Sequence, residues 1–210
     1  MILATCISCD KDCNFAGGYV FEINATLSPA KDTFQIGDTI TISSEFADLV
    51  YDRTTRNYYN LKNFSFFPYS DIIKIDESNT IAKFSGTFEI IVDTIYDFKL
   101  SKYSDGGDAM VGQYNYINGL YSLKYRIIPQ INGLYFIKFT SLLYPANQNQ
   151  DFQGRCPKSK NGLDAFVNLN EGAENNVDFL LDSPDQIWQN YWQKREDRFH
   201  KFGGYCFYVK

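Results

Sequence analysis

The sequence predicts a mainly β fold, an antiparallel β-sandwich with one C-terminal α-helix packed on it. Apolar and polar residues alternate over several short segments, which marks strands with one buried face. Gly, Pro and Asn punctuate the intervals between them, and only one stretch, near the C-terminus, has helical spacing.

The elements follow in chain order. In Tyr19 to Leu27 every odd position is apolar or aromatic and most even positions are polar, the pattern of a half-buried strand that Ser28-Pro29 ends. Phe34 to Asp38 turns into a second strand, Thr39 to Phe46, with Ile40, Ile42 and Phe46 on one face. Phe64–Phe67 and Ile72–Ile75 are short strand candidates separated by Pro68, and Phe84 to Val92 alternates again. Gly119 opens an alternating run to Ile127; Pro129 and Asn132-Gly133 then suggest a hairpin returning through Leu134 to Ser141. Phe166 to Leu169 and Tyr205 to Val209 complete the strands, and a helical turn is expected around Asn176 to Leu181. The helix is expected over about 184–200. Ser183-Pro184-Asp185-Gln186 reads as an N-cap, an N1 proline and a capping box. Ile187, Trp188, Tyr191, Trp192 and Phe199 form its apolar stripe, Lys194, Arg195, Arg198 and Lys201 sit towards its end, and Gly203-Gly204 stops it.

Gly37-Asp38-Thr39-Ile40 with the alternation after it, and Gly119-x-Tyr121-x-x-x-Tyr125, resemble immunoglobulin-like modules of secreted bacterial proteins. The resemblance implies an immunoglobulin-like sandwich and nothing about activity. The 210 residues read as one such domain over 17–210, with no linker or repeat dividing them.

Composition narrows the function. Twenty Lys+Arg against 25 Asp+Glu give a net charge of −5, a poor electrostatic match for nucleic acid or anionic lipid. One His and no recurring C-x-x-C leave no zinc site, and no metal or cofactor is expected. No apolar run reaches the ~18 residues that would cross a bilayer.

Residues 1–8 are apolar or small and read as the remnant of a secretory signal; polarity begins at Asp10. Ile7-Ser8-Cys9 followed by Asp10-Lys11-Asp12 resembles the lipobox and export tag of Bacteroidota-type surface lipoproteins. The resemblance implies acylation of Cys9, with Cys6 in Leu3-Ala4-Thr5-Cys6 as the alternative. It also implies a tether over 9–16 and membrane attachment through that lipid alone. The expected location is the outer membrane, at the cell surface or its periplasmic face. Export favours disulfides. The preferred pair is Cys156–Cys206, since Cys13 lies on the tether; it would close a loop of about 50 residues and contribute roughly 4 kcal/mol by chain entropy.

Candidate chemistry is sparse. His200 is the sole imidazole and lies at the helix end, and no G-x-S-x-G elbow singles out a serine. Acidic loop residues Asp105 and Asp108, in Ser104-Asp105-Gly106-Gly107-Asp108, lack EF-hand spacing. Asn24-Ala25-Thr26 and Asn63-Phe64-Ser65 match glycosylation sequons but fall on strand candidates. Tyr58-Tyr59 between Asn57 and Asn60, and Tyr114 and Tyr116 around Asn115, place rings and amides in apparent loops, a pairing that suits a sugar or a protein partner. The ligand-binding candidates are therefore Tyr58, Tyr59, Asp105, Asp108, Tyr114 and Tyr116. The function expected is an exported, lipid-anchored envelope module that binds a glycan or an envelope protein. The alternatives are a carboxylate-dependent hydrolase, for which the sequence offers no catalytic set, and a purely structural envelope protein.

Overall fold

The structure, a computed structural model, describes residues 17–142, 150–156 and 162–210. The strands are β1 (Tyr19–Ser28), β2 (Thr33–Phe34), β3 (Ile40–Ala47), β4 (Leu49–Asp52), β5 (Asn57–Asn60), β6 (Phe67–Lys74) and β7 (Phe88–Val92), then β8 (Phe98–Lys102), β9 (Asp108–Gly112), β10 (Asn115–Ile117), β11 (Leu120–Pro129), β12 (Gly133–Leu142), β13 (Leu163–Leu169) and β14 (Gly204–Val209). Among the described residues one α-helix, α1 (Ile187–Gln193), lies between β13 and β14, with short 3-10 turns before it.

The strands form two facing sheets. The first runs β10-β11-β3-β1-β4-β5, with β7 also on β11 and β13 also on β1; the second runs β2-β14-β12-β6-β9-β8. Phe21 and Ile23 from β1, Ile40 and Ile42 from β3, and Tyr125 and Ile127 from β11 pack with Ile72, Ile137, Phe139 and Phe207 of the second sheet in one core. Burying each such side chain contributes about 1.5–3 kcal/mol. Tyrosine hydroxyls inside it are bonded: Tyr125 and Ser70 Oγ lie 2.7 Å apart, Ser70 Oγ donates to the Lys138 carbonyl at 2.7 Å, and Tyr121 donates to the Leu61 carbonyl at 2.6 Å.

The sandwich and the helix packed on it are as the pattern predicts, and β1 reproduces the expected alternation residue for residue. Four local expectations change. First, β11 and β12 do not form a hairpin: β11 pairs with β3 and β7, and β12 with β14 and β6, so the Pro129–Gly133 connection crosses between sheets. The short hairpin is instead β10–β11, turned by Asn118 and Gly119 at φ 52° and 83°. Second, Pro68 lies within β6 near its start, and Phe64–Phe67 and Ile72–Ile75 give way to one strand. Third, two pairings are parallel, β1 with β13 and β14 with β2.

Fourth, the helix is shorter than 184–200. It ends at Gln193, where Lys194 leaves helical geometry (φ −111°, ψ 35°), and a π-helical turn covers Glu196–His200. The expected capping box does not form. Gln186 stands at the N-cap without a side-chain bond, and Asp185 closes the turn before it, its Oδ1 accepting from the Ile187 N–H at 3.0 Å, while Ser183 Oγ accepts from the Asp185 N–H. Gly203 and Gly204 end the segment as expected. A Cβ on Gly204 would lie 2.8 Å from the Phe199 ring, so the close approach of that ring to β14 requires glycine.

Trp188, Phe199, Val177 and Leu180 pack on Ile75, Leu134, Phe136 and Cys206, forming a second core on the outer side of the second sheet. The Phe136 and Phe199 rings stack 5.4 Å apart. Ile187, expected on the apolar stripe, is exposed.

Cys206 is a free thiol buried in this second core, and burial pushes its pKa well up. The expected Cys156–Cys206 bridge therefore does not form. Cys156 is disulfide-bonded. The acylation candidates Cys9 and Cys6, and the tether, lie outside the described residues. No described helix is long and apolar enough to cross a membrane.

Candidate functional site

Two sheets in a sandwich have two outer faces, and here they differ. The helical segment covers that of the second sheet. On the first sheet, alternation sends Glu22 and Asn24 of β1, Ala47 of β3, Leu49 and Tyr51 of β4, Tyr58 of β5 and Leu120 of β11 outward, and no described element packs over them. Register draws them together. Leu120 lies opposite Ala47, Tyr51 opposite Tyr58, and Ile117 opposite Leu120. The result is an apolar stripe from Ile117 and Leu120 through Ala47 and Leu49 to Tyr51 and Tyr58. Leu49 is 57% exposed, Tyr58 65% and Ile117 59%.

A cavity of about 230 Å³ lies along this stripe, lined by Glu22, Asn24, Leu49, Tyr51 and Tyr58 among others. The Tyr51 and Tyr58 rings are 5.3 Å apart and tilted by 54°. Glu22 closes one end: it pairs with Arg53 Nη1 at 2.9 Å and accepts from Asn168 Nδ2 at 2.9 Å, while the Arg53 guanidinium lies 3.7 Å over the Phe166 ring.

Beyond Arg53 lies a second cleft of about 300 Å³, lined in part by Asn168, Glu171, Glu174, Glu196 and His200. His200 Nε2 is 3.8 Å from Glu174 Oε2, and its ring meets Phe199 edge-on. Asn170, Glu171, Asn175 and Asn176 around it have positive φ. No group of three or more His, Cys, Asp or Glu suited to a metal ion occurs among the described residues.

Of the six side chains singled out from sequence, only Tyr58 lies on this apolar stripe. Tyr59 turns inward against Tyr19 and Phe152. Asp105 closes its own turn by accepting from the Gly107 N–H at 2.9 Å. Asp108 is buried and accepts from the Phe84 N–H at 2.6 Å and from Ser85, pinning the 84–85 loop to β9. Tyr114 is buried, its hydroxyl 3.2 Å from Ser44 Oγ, and burial raises its pKa. Tyr116 donates to Asp48 Oδ2 at 2.7 Å and packs on Tyr121; that bond to Asp48 raises its pKa. Leu49, Tyr51 and Ile117 were not selected from sequence. A signal was present: each is an apolar residue on the polar side of an alternating strand.

No family model and no curated protein match the chain. It is similar to a solved type II cohesin dyad from the adaptor ScaA scaffoldin of Acetivibrio cellulolyticus, at 12% identity, 71% of this chain, 48% of that chain and a TM-score of 0.31. A type II cohesin domain from the cellulosome of the same organism gives 13%, 70%, 91% and 0.31. The human F-spondin reeler domain gives 12%, 71%, 85% and 0.31. The chain spans about half the length of the dyad. At these scores the likeness carries no weight for function.

Proposed function

We propose that the protein is a binding module that holds a partner protein on the uncovered face of its first sheet, and that it does so exported and lipid-anchored at the cell envelope. The observation that carries the reading is the stripe of Leu49, Tyr51, Tyr58, Ile117 and Leu120 on the one sheet face that no described element covers. Large apolar side chains gathered on one face, rimmed by polar residues such as Glu22 and Asn24, are what partner recognition uses. Leucine and isoleucine offer a sugar no hydrogen bonds, so they favour a protein. The Tyr51–Tyr58 pair beside Asn24 supports a glycan as the second reading.

The test is retention of envelope-extract proteins on the immobilised full chain, compared with Leu49→Glu and, as a control on the covering segment, Ile187→Glu. The reading expects a species held by the wild type and by I187E and lost with L49E. Capture indifferent to L49E would overturn it. Saturable binding on a glycan array that Tyr58→Ala abolishes and L49E spares would move the assignment to the glycan.

A further inference from the structure

We infer that the open edge of β5 receives an extended, acidic segment of the partner by strand addition. This deepens the proposed function and rests on a protein partner. On one side β5 pairs with β4, in the register Leu49↔Asn60 to Asp52↔Asn57. On the other side no described strand pairs with it. The Leu61 N–H donates to the Asp48 carbonyl at 2.7 Å. Bonding residues alternate along an antiparallel ladder. With Leu61 turned to the β4 side, Asn57 and Tyr59 turn there too, and Tyr58 and Asn60 present their N–H and C=O groups to the open edge.

The other edges suit such an addition less: β7 too pairs on one side only, with β11, but Glu89 on it and Asp93 after it repel an acidic segment. β8 carries Lys99 and Lys102. The Val167 N–H of β13 donates to the Lys201 carbonyl at 3.1 Å, and Val167 bridges to Phe202. β2 has two residues and β10 three. Charge on the strand, short length and covering are the usual protections of an edge. Asn57-Tyr58-Tyr59-Asn60 has no Lys, no Pro and no bulge. An added strand would set alternate side chains on the outer face, beside Tyr58 and Tyr51, and so continue the apolar stripe.

Charge selects the occupant. Arg56 and Lys62 flank β5, both exposed, and neither forms an ion pair among the described residues. They complement acidic side chains on the added segment. They also disfavour a second copy of the chain: antiparallel pairing of two β5 edges centred on Tyr59 would put Arg56 opposite Lys62, like charges facing across the strands.

The test uses the full chain and a phage-displayed library of random octapeptides, with the selected peptides synthesised. The expected peptides alternate β-branched or aromatic residues and carry Asp or Glu towards their ends. At a concentration ten times Kd, such a peptide slows amide exchange at Tyr58 and Asn60 about tenfold while leaving Tyr59 unchanged. Reversing both charges, Arg56→Glu with Lys62→Glu, weakens binding roughly tenfold. N-methylating alternate peptide amides on the pairing edge abolishes it, whereas methylating the other set does not. The inference is overturned if no peptide is selected, if both methylated sets bind equally, or if protection falls elsewhere. Concentration-dependent protection of Tyr58 and Asn60 in the chain alone would replace the acidic segment with a second copy. If L49E spares envelope capture while the peptide result stands, the face reading fails and the edge reading survives. If L49E abolishes capture but no peptide pairs, only the edge reading fails.

Discussion

The outer faces of the two sheets are built from similar strands and end in different states. On the second sheet, Leu134, Phe136 and Cys206 point outward and are buried under Trp188 and Phe199. On the first, Leu49, Tyr58, Ile117 and Leu120 point outward and stay in water. The difference teaches that an outward apolar residue has to be judged by what covers it. Where the chain supplies a cover, the residue contributes stability; where it does not, the residue is available to a partner.

Substitutions on the two faces should therefore separate stability from binding. The largest effect expected is from Phe136→Ala, which opens a cavity under the stack with Phe199 and should cost about 4 kcal/mol in urea unfolding. Peptide mapping should show Cys206, shielded in the wild type, alkylated faster in that variant as the cover loosens. Next comes Lys138→Met. Lys138 Nζ lies 3.0 Å from buried Asp71 Oδ2, and Asp71 Oδ1 has no other partner. Without Lys138 the buried Asp71 carboxylate keeps only the Tyr69 hydroxyl, 3.2 Å from Oδ2, which should cost about 2 kcal/mol, somewhat less than a fully buried pair because Lys138 is partly exposed, and adding Asp71→Leu should recover most of it.

A smaller effect concerns alkaline pH. Burial pushes the pKa of Tyr135 and Tyr205 up to about 12, against an ordinary 10. Between those values the folded state holds protons that the unfolded state has released. Stability is thus complete below pH 10 and falls as pH rises through 12. Tyr135→Phe should flatten the fall in unfolding free energy measured across that window. The smallest stability effect belongs to the bare face. Tyr58→Ala and Leu49→Glu should each shift unfolding by no more than about 0.5 kcal/mol, while the proposed binding is lost. A large destabilisation from either would erase the contrast between the faces.

The sandwich was legible because alternation reports which side of a strand faces the core, as β1 and β11 show residue by residue. Pairing was less legible. Turn residues at Asn132-Gly133 suit a hairpin, but the chain there changes sheet, a choice made by long-range partners of β11 and β12. One clue was readable: Leu134 to Ile137 form a continuous apolar run, and all four are buried, as expected of a strand covered on both faces. The cysteine pairing failed for the same reason. Cys206 falls on the outward side of β14 under the helix, which sequence separation does not encode. At the site, Tyr114 and Asp108 carry the residue types of a binding loop but are spent on internal bonds, and only coordinates separate them from Tyr58.

The most direct test of the binding face is site-specific photo-crosslinking in cells with the full-length chain, placing p-benzoylphenylalanine at Leu49, Tyr58 or Ile117 and, on the covering segment, at Leu181 or Ile187. The account predicts adducts to one partner protein from the first three positions and none from the last two. Adducts from Leu181 or Ile187 alone, or from none of the five, would contradict it.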